Sequence, residues 1–161
     1  MIRRRPAGPD PTLRAGRLAL LTMSAAQLGF QSMVTSVVYP TLFEGPTLGI
    51  AERQADHARR IAPVALTLYA SGLGAAAWAT YGSARSAERG GLAATIVACL
   101  TTVAIPALTA GVVPLHMGIA QEQVTRPRIQ ALLASDRIRT GLAAIGVAAA
   151  AHSLSSQSLG S

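Results

Sequence analysis

The distribution of charge along the chain most restricts what it can fold into. Four stretches carry no charged residue, at positions 18–43, 61–84, 90–121 and 140–161, and each is at least 22 residues long. A helix of about 20 mainly apolar residues crosses a hydrocarbon core about 30 Å thick. Soluble helices, in contrast, carry charges on one face every turn or two. The pattern therefore predicts four membrane-spanning helices.

These spans define an all-α fold, a four-helix transmembrane bundle with up-down topology. The predicted spans are residues 17–43, 61–83, 92–113 and 138–154, between a flexible Arg- and Pro-rich tail at 1–16 and a C-terminal tail at 155–161. The connection at 83–91 is short and rich in turn-forming residues, so the second and third spans form an antiparallel pair. The Ala- and Gly-rich composition suits close packing of membrane helices.

Arginine residues flank the spans and bear on location and partners. The net charge is +7, but the chain has no Lys, and arginines at span ends are typical of membrane anchors. The lipid bilayer is therefore the expected partner, and nucleic acid is not. The arginines divide seven against seven between the two sides, and the five in the N-terminal tail favour cytoplasmic N- and C-termini in the inner membrane. A cleaved secretory signal at the N-terminus is the alternative.

One face of the first span carries a polar stripe. Its members recur at steps of three or four and are Ser24, Gln27, Gln31, Thr35 and Tyr39. A polar stripe that faced lipid would be costly, so we expect it to face the bundle interior. One interpretation is hydrogen bonding between helices. The other is the wall of a polar cavity, with the last four members binding a substrate.

The up-down topology brings the first and third connections to the same side of the membrane. Eight polar residues collect at that rim: Tyr39, Glu44, Glu52, Asp56, His57, Arg60, His116 and Glu122. His57, His116 and Glu122 form a ligand set common for a transition metal, and the same groups can serve as acid and base. In the alternative interpretation they only anchor helix ends, with Asp56 and Arg60 as an i,i+4 ion pair. Buried ionisable residues are missing from the middle of the spans, which argues against an ion pump or proton relay.

Short motifs carry a resemblance to a known family. They are Val37-Val38-Tyr39-Pro40, Asp56-His57-Ala58-Arg59-Arg60-Ile61, Val113-Pro114-Leu115-His116 and Arg137-Ile138-Arg139-Thr140. With these motifs the chain resembles small four-span bacterial membrane proteins and the anthrone-oxygenase-like membrane family. That family also has a Pro closing span one and an Arg opening span four. The resemblance implies oxidation of a polycyclic aromatic or similar lipophilic metabolite at the membrane.

Three functions follow from these observations. The leading hypothesis is an oxidoreductase acting on a lipophilic small molecule, with His57, His116 and Glu122 as bases or metal ligands and Arg60 as a charge stabiliser. The second is a non-catalytic subunit of a larger membrane complex, for which the Ala- and Gly-rich faces are suited. The third is a small-molecule exporter that works as a homo-oligomer.

Overall fold

A computed structural model describes residues 10–43, 49–86, 91–121 and 124–158, and these ranges contain helices and no strand. The helices are α1 (Pro11–Met33), α2 (Tyr39–Phe43), α3 (Ile50–Arg85), α4 (Leu92–Ala120) and α5 (Arg126–Ser158). A π-helical turn at Val34–Val38 connects α1 directly to α2. The four long helices confirm the predicted all-α four-helix bundle.

The helices extend beyond the predicted spans. Helix α1 begins at Pro11, inside the predicted tail, because the side chain of Asp10 accepts a hydrogen bond from the Thr12 amide at 2.9 Å and Pro occupies the first turn. Helix α3 begins at Ile50 and α5 at Arg126, before the predicted spans at 61 and 138. Charged residues end an apolar stretch without ending a helix, since Glu, Arg and Gln are good helix formers.

Each long helix packs against two antiparallel neighbours. Helices α1 and α4 each contact both α3 and α5, so the four form a ring in up-down order. Helices α1 and α3 approach closely at two glycines. A Cβ atom added to Gly16 would lie 2.9 Å from Cα of Ala79, and one added to Gly82 would lie 2.9 Å from Cα of Leu13. These glycines set the distance between the two backbones.

The apolar side chains divide between a small interior and a large outer surface. One buried cluster, which includes Tyr39, Ile119 and Leu132, lies towards the end of the bundle where the first and third connections meet. A second cluster, which includes Leu20 and Ala98, lies further along the bundle. Many large apolar side chains point outward instead, among them Leu66, Leu73, Leu100 and Val103.

Candidate functional site at the polar end of the bundle

A buried ion pair lies in the bundle interior, within α5. Asp136 is 0% exposed and Arg139 is 4% exposed, and Nη2 of the arginine donates to Oδ1 of the aspartate at 3.0 Å. Both residues lie towards one end of the bundle, so the expectation of no ionisable residue in the middle of the membrane stays a prediction. The prediction placed Asp136 in a connection because charge marked the end of the apolar stretch. Since α5 begins at Arg126, the segment that carries both residues packs against the other helices.

Hydroxyl groups from three helices and the π-helical turn surround this ion pair. Thr35 of the π-helical turn donates to Oδ2 of Asp136, and its hydroxyl also lies 2.9 Å from that of Thr140 in α5. On the other side, Arg139 donates from Nη1 to the Thr109 hydroxyl of α4 at 3.1 Å. The hydroxyl of Tyr69 in α3 lies 2.9 Å from the same threonine oxygen. Helices α3, α4 and α5 and the π-helical turn thus contribute to one polar network.

The π-helical turn positions Thr35 within this network. The Thr35 hydroxyl oxygen also lies 2.9 Å from the Gln31 carbonyl oxygen. A hydroxyl has one proton to donate, and the carboxylate of Asp136 is the stronger acceptor, so the proton goes to α5. A π-helical turn inserts an extra residue into a helix, which rotates the side chains that follow, and such turns frequently occur at functional sites. The sequence contains no pattern that would have predicted this turn.

Beyond the ion pair, two histidines lie at the same end of the bundle. Nδ1 of His116 lies 2.5 Å from Nε2 of Gln54, which is 0% exposed. The ring of His57 meets that of Tyr39 edge to face, with centroids 6.3 Å apart. The pKa of His116 is lowered to about 4, mainly by burial and also by the charges of Arg139 and His57, so its imidazole is neutral at pH 7. Burial lowers the pKa of His57 from its ordinary value, so its imidazole is neutral and able to accept a proton at pH 7.

Gln54 is a member of this cluster that the sequence did not indicate. It lies in a charged segment that was predicted to be a connection, and only the extension of α3 towards Ile50 turns it inward. Its Oε1 atom is buried without a hydrogen-bond partner. The amide therefore has one acceptor left for a further donor.

Arg60 lies on the surface beside Asp56. Its side chain is 80% exposed and its Nε atom pairs with Oδ2 of Asp56 at 2.7 Å, as the i,i+4 spacing predicted. The role of Arg60 as a charge stabiliser at the rim stays a prediction. Glu122, like Glu44, lies outside the described residues.

The predicted metal centre has two of its three ligands within the described part of the chain. Among residues 10–43, 49–86, 91–121 and 124–158, no group of three or more His, Cys, Asp or Glu side chains could hold a metal ion. His57 and His116 lie near each other, but Gln54 already engages Nδ1 of His116. The described residues alone therefore do not form a complete metal site.

The polar stripe of α1 faces the bundle interior, as predicted. Gln31 and Tyr39 are each 2% exposed, and Ser24 is also buried. Near Gln27 the interior contains a cavity of about 20 Å³ between the helices. This cavity is too small for a lipophilic molecule. Substrate binding by the last four members of the stripe stays a prediction.

A much larger apolar space lies on the outer surface between α1 and α3. This groove has a volume of about 590 Å³ and is lined by Met23, Ala26, Phe30, Pro63, Val64, Thr67, Leu68 and Ser71. Helices α2 and α3 bring Tyr39 and His57 together further along the bundle. From Pro63 to His57 the distance along α3 is about 9 Å, at about 1.5 Å per residue. Pro63, which lines the groove, and His57 are thus less than two turns apart on α3.

Fold and site together define a four-helix bundle with an apolar exterior and a polar cluster at one end. Two of its helices, α3 and α4, are long and apolar enough to cross a membrane. Comparison with known proteins adds no relative: no family profile, curated protein or solved structure matches the chain.

Proposed function

We propose that this protein is a four-span membrane protein that binds a lipophilic small molecule and oxidises it at the polar end of the bundle. The first support for a membrane location comes from the outer surface of the bundle. In the most apolar 18-residue stretches of α3 and α4, only 17% and 22% of the residues are buried. The core helix of a soluble protein would be mostly buried. An apolar surface of this extent is suited to lipid.

The spacing of the buried polar groups also supports this proposal. Arg17 is 1% exposed, and its Nη1 atom donates to the Ser153 carbonyl at 2.9 Å. Thr35, which contacts Asp136, lies 18 residues further along the same helical arm, a distance of about 27 Å at about 1.5 Å per residue. Two polar layers at this separation match a hydrocarbon core about 30 Å thick.

The groove between α1 and α3 accounts for a lipophilic substrate. Its volume of about 590 Å³ falls within the range of about 300–1,000 Å³ that is typical of small-molecule sites. Because it opens on the outer surface, a molecule dissolved in the bilayer can enter it sideways. A polar group at the end of such a molecule would then reach Tyr39 and His57.

The histidines supply the chemistry in this proposal. The neutral imidazole of His57 accepts a proton from an acidic position of the substrate, and His116, held by Gln54, is the second acid-base group. Loss of a proton from a fused aromatic ketone gives an electron-rich enolate. Molecular oxygen adds to its nucleophilic carbon as a hydroperoxide, and loss of water from this group leaves a quinone carbonyl, so one O₂ is consumed and one H₂O is released. The resemblance to the anthrone-oxygenase-like family implies oxygen as the oxidant. The observation that carries the proposal is the placement of His57 against Tyr39 at the same end of the bundle as His116.

Substitution of the histidines tests this activity with anthrone as the probe. We expect His57→Phe and His116→Phe to slow oxygen consumption by the purified protein by about 10²-fold or more, the usual contribution of an acid-base group. His152→Phe is the matched control because His152 is exposed and lies towards the opposite end of the bundle. Equal rates in all three variants would refute the catalytic proposal while leaving the membrane proposal intact.

The proposal also includes a bound transition metal, with Glu122 as the ligand that would join His57 and His116. Elemental analysis of the purified wild-type protein and of His57→Phe measures it directly. A stoichiometric metal that is lost in the variant would make the histidines ligands rather than proton acceptors. A metal-free protein that oxidises anthrone would leave them as acid-base groups.

The accessory-subunit hypothesis is supported by a separate feature of the outer surface. Gly29, Gly74, Gly111 and Gly141 have no neighbouring atom within 4 Å of the position a Cβ would take, so small residues face outward on all four long helices. Such faces allow another membrane helix to approach closely. Co-purification of a partner at fixed stoichiometry in mild detergent would support this function. A homogeneous species that oxidises anthrone would support the enzyme.

A further inference from the structure

The small cavity inside the bundle has a polar lining that the proposed activity does not use. Its volume is about 20 Å³. All four long helices contribute to its wall, which consists of Met23, Ser24, Gln27, Leu68, Tyr69, Gly72, Thr101, Thr102, Ile105, Ala143 and Gly146. An apolar cavity of this kind would stay empty, but this one contains an amide and several hydroxyl groups.

One polar atom on this wall is buried without a partner. Nε2 of Gln27 has no hydrogen bond, although it is shielded from the surface of the bundle. A buried donor without a partner costs free energy, and buried side-chain polar atoms in native proteins nearly always have a partner in protein or ordered water. The amide therefore requires an acceptor that the side chains around it do not supply.

The same wall carries hydroxyl oxygens that can accept hydrogen bonds. A Cβ added to Gly146 would lie 2.7 Å from the Thr101 hydroxyl oxygen and 3.9 Å from that of Ser24, so both oxygens face this glycine. The Thr101 hydroxyl donates to the Ala98 carbonyl at 2.8 Å, which leaves its oxygen free to accept. The absence of a side chain at Gly146 keeps the space between these groups open.

We propose that the cavity binds one structural water molecule. A water needs about 10–15 Å³ of such volume and two to four polar partners. The cavity meets both conditions, with the Gln27 amide as donor and the Ser24 and Thr101 oxygens as acceptors. The volume excludes a larger ligand.

The cavity adjoins the residues that lead to the ion pair. Tyr69 lines the cavity, and its hydroxyl contacts that of Thr109, which accepts from Arg139. Arg139 in turn donates to Asp136. Tyr69 therefore lies between the cavity and the ion pair. A bound water gives the Gln27 position of the polar stripe a role that is independent of substrate binding.

Radiolytic labelling with ¹⁸O water tests this proposal on the full chain in detergent. Hydroxyl radicals formed from a bound water oxidise the side chains next to it, here Tyr69. We expect Tyr69 to acquire label in the wild-type protein, with ¹⁸O arriving more slowly than at exposed positions because the water exchanges slowly. No label at Tyr69, or label that follows the exposed positions without delay, would overturn the proposal.

Two isosteric variants separate the water site from buried amides in general. Gln27→Met removes the unpartnered donor, and we expect it to lower the labelling of Tyr69 at least about fivefold. Gln31→Met is the matched control, because Gln31 is also a buried amide of α1 with an unpartnered Nε2 atom but does not line the cavity. Equal labelling of Tyr69 in wild type and Gln27→Met would contradict the assignment. If Gln27→Met fails to fold, the rate at which ¹⁸O label arrives in the wild-type protein tests the proposal by itself.

Discussion

Thr35 of the π-helical turn donates a hydrogen bond to Oδ2 of Asp136 in α5, and this contact connects the irregular part of the first helical arm to the buried ion pair. Arg139 occupies the other carboxylate oxygen. Each oxygen of Asp136 therefore has a donor, which a carboxylate fully removed from water requires. The π-helical turn thus supplies the donor for one of the two carboxylate oxygens of Asp136.

Removal of the Thr35 hydroxyl tests this relationship. We expect Thr35→Val to lower the free energy of unfolding by about 1–3 kcal/mol, because Oδ2 of Asp136 loses its donor while it stays buried. Thr22→Val is the matched control, since the Thr22 hydroxyl is exposed and donates only to the Leu18 carbonyl of its own helix. Denaturation in detergent measures both. Equal stability of the two variants would show that the contact contributes nothing.

The ion pair should respond differently to single and double substitution. Asp136→Asn and Arg139→Gln each leave an unpaired buried charge, so we expect each to cost about 3–5 kcal/mol. The double variant should cost less than either, because neither charge remains. The same unfolding assay in a double-mutant cycle checks this, and strictly additive losses would contradict the pairing.

An exposed ion pair in the same chain provides the comparison. Asp56 pairs with Arg59 at 3.3 Å and with Arg60 at 2.7 Å, and both arginine side chains are at least 76% exposed. We expect Asp56→Asn to cost no more than about 1 kcal/mol, since surface ion pairs are screened by solvent. A loss as large as that of Asp136→Asn would mean that burial does not distinguish the two pairs.

The close contact of α1 and α3 predicts a strong position dependence among glycines of α3. Gly82→Val should destabilise the bundle by about 1–3 kcal/mol or more, because the new side chain meets the Leu13 backbone. Gly74→Val, in the same helix, has open space around it and should change the unfolding midpoint little. If both variants unfold alike, helix propensity rather than packing explains the effect.

The outer surface gives a direct test of the solvent around the bundle. Leu100 is 63% exposed and lies near the middle of the predicted span at 92–113. In lipid, Leu100→Arg should cost about 2.5–3.5 kcal/mol of insertion free energy and reduce the amount of protein recovered in the membrane fraction. Gln121→Arg, at the exposed end of the same helix, is the control. Recovery of both the wild type and Leu100→Arg in a detergent-free supernatant, in equal amounts, would contradict the membrane proposal.

The amino-acid sequence by itself determined the fold class and the direction of the polar stripe. The uncharged stretches are long enough to predict four helices, and the three-to-four spacing from Ser24 to Tyr39 predicted which face turns inward. Both are local properties, since they depend on helical periodicity and on the cost of placing polar groups in an apolar environment. The Asp56–Arg60 pair was predicted for the same reason.

Only the tertiary structure decided which polar residues meet. Helix α5 begins at Arg126, and this places Asp136 and Arg139 beside Thr35 and Thr109, far away in the chain. The extension of α3 brings Gln54 to His116 in the same way. Charge in a sequence shows where an apolar stretch ends, but a helix continues past that point when neighbouring helices bury and pair its polar groups. Those pairings depend on packing between distant segments, which no local pattern contains.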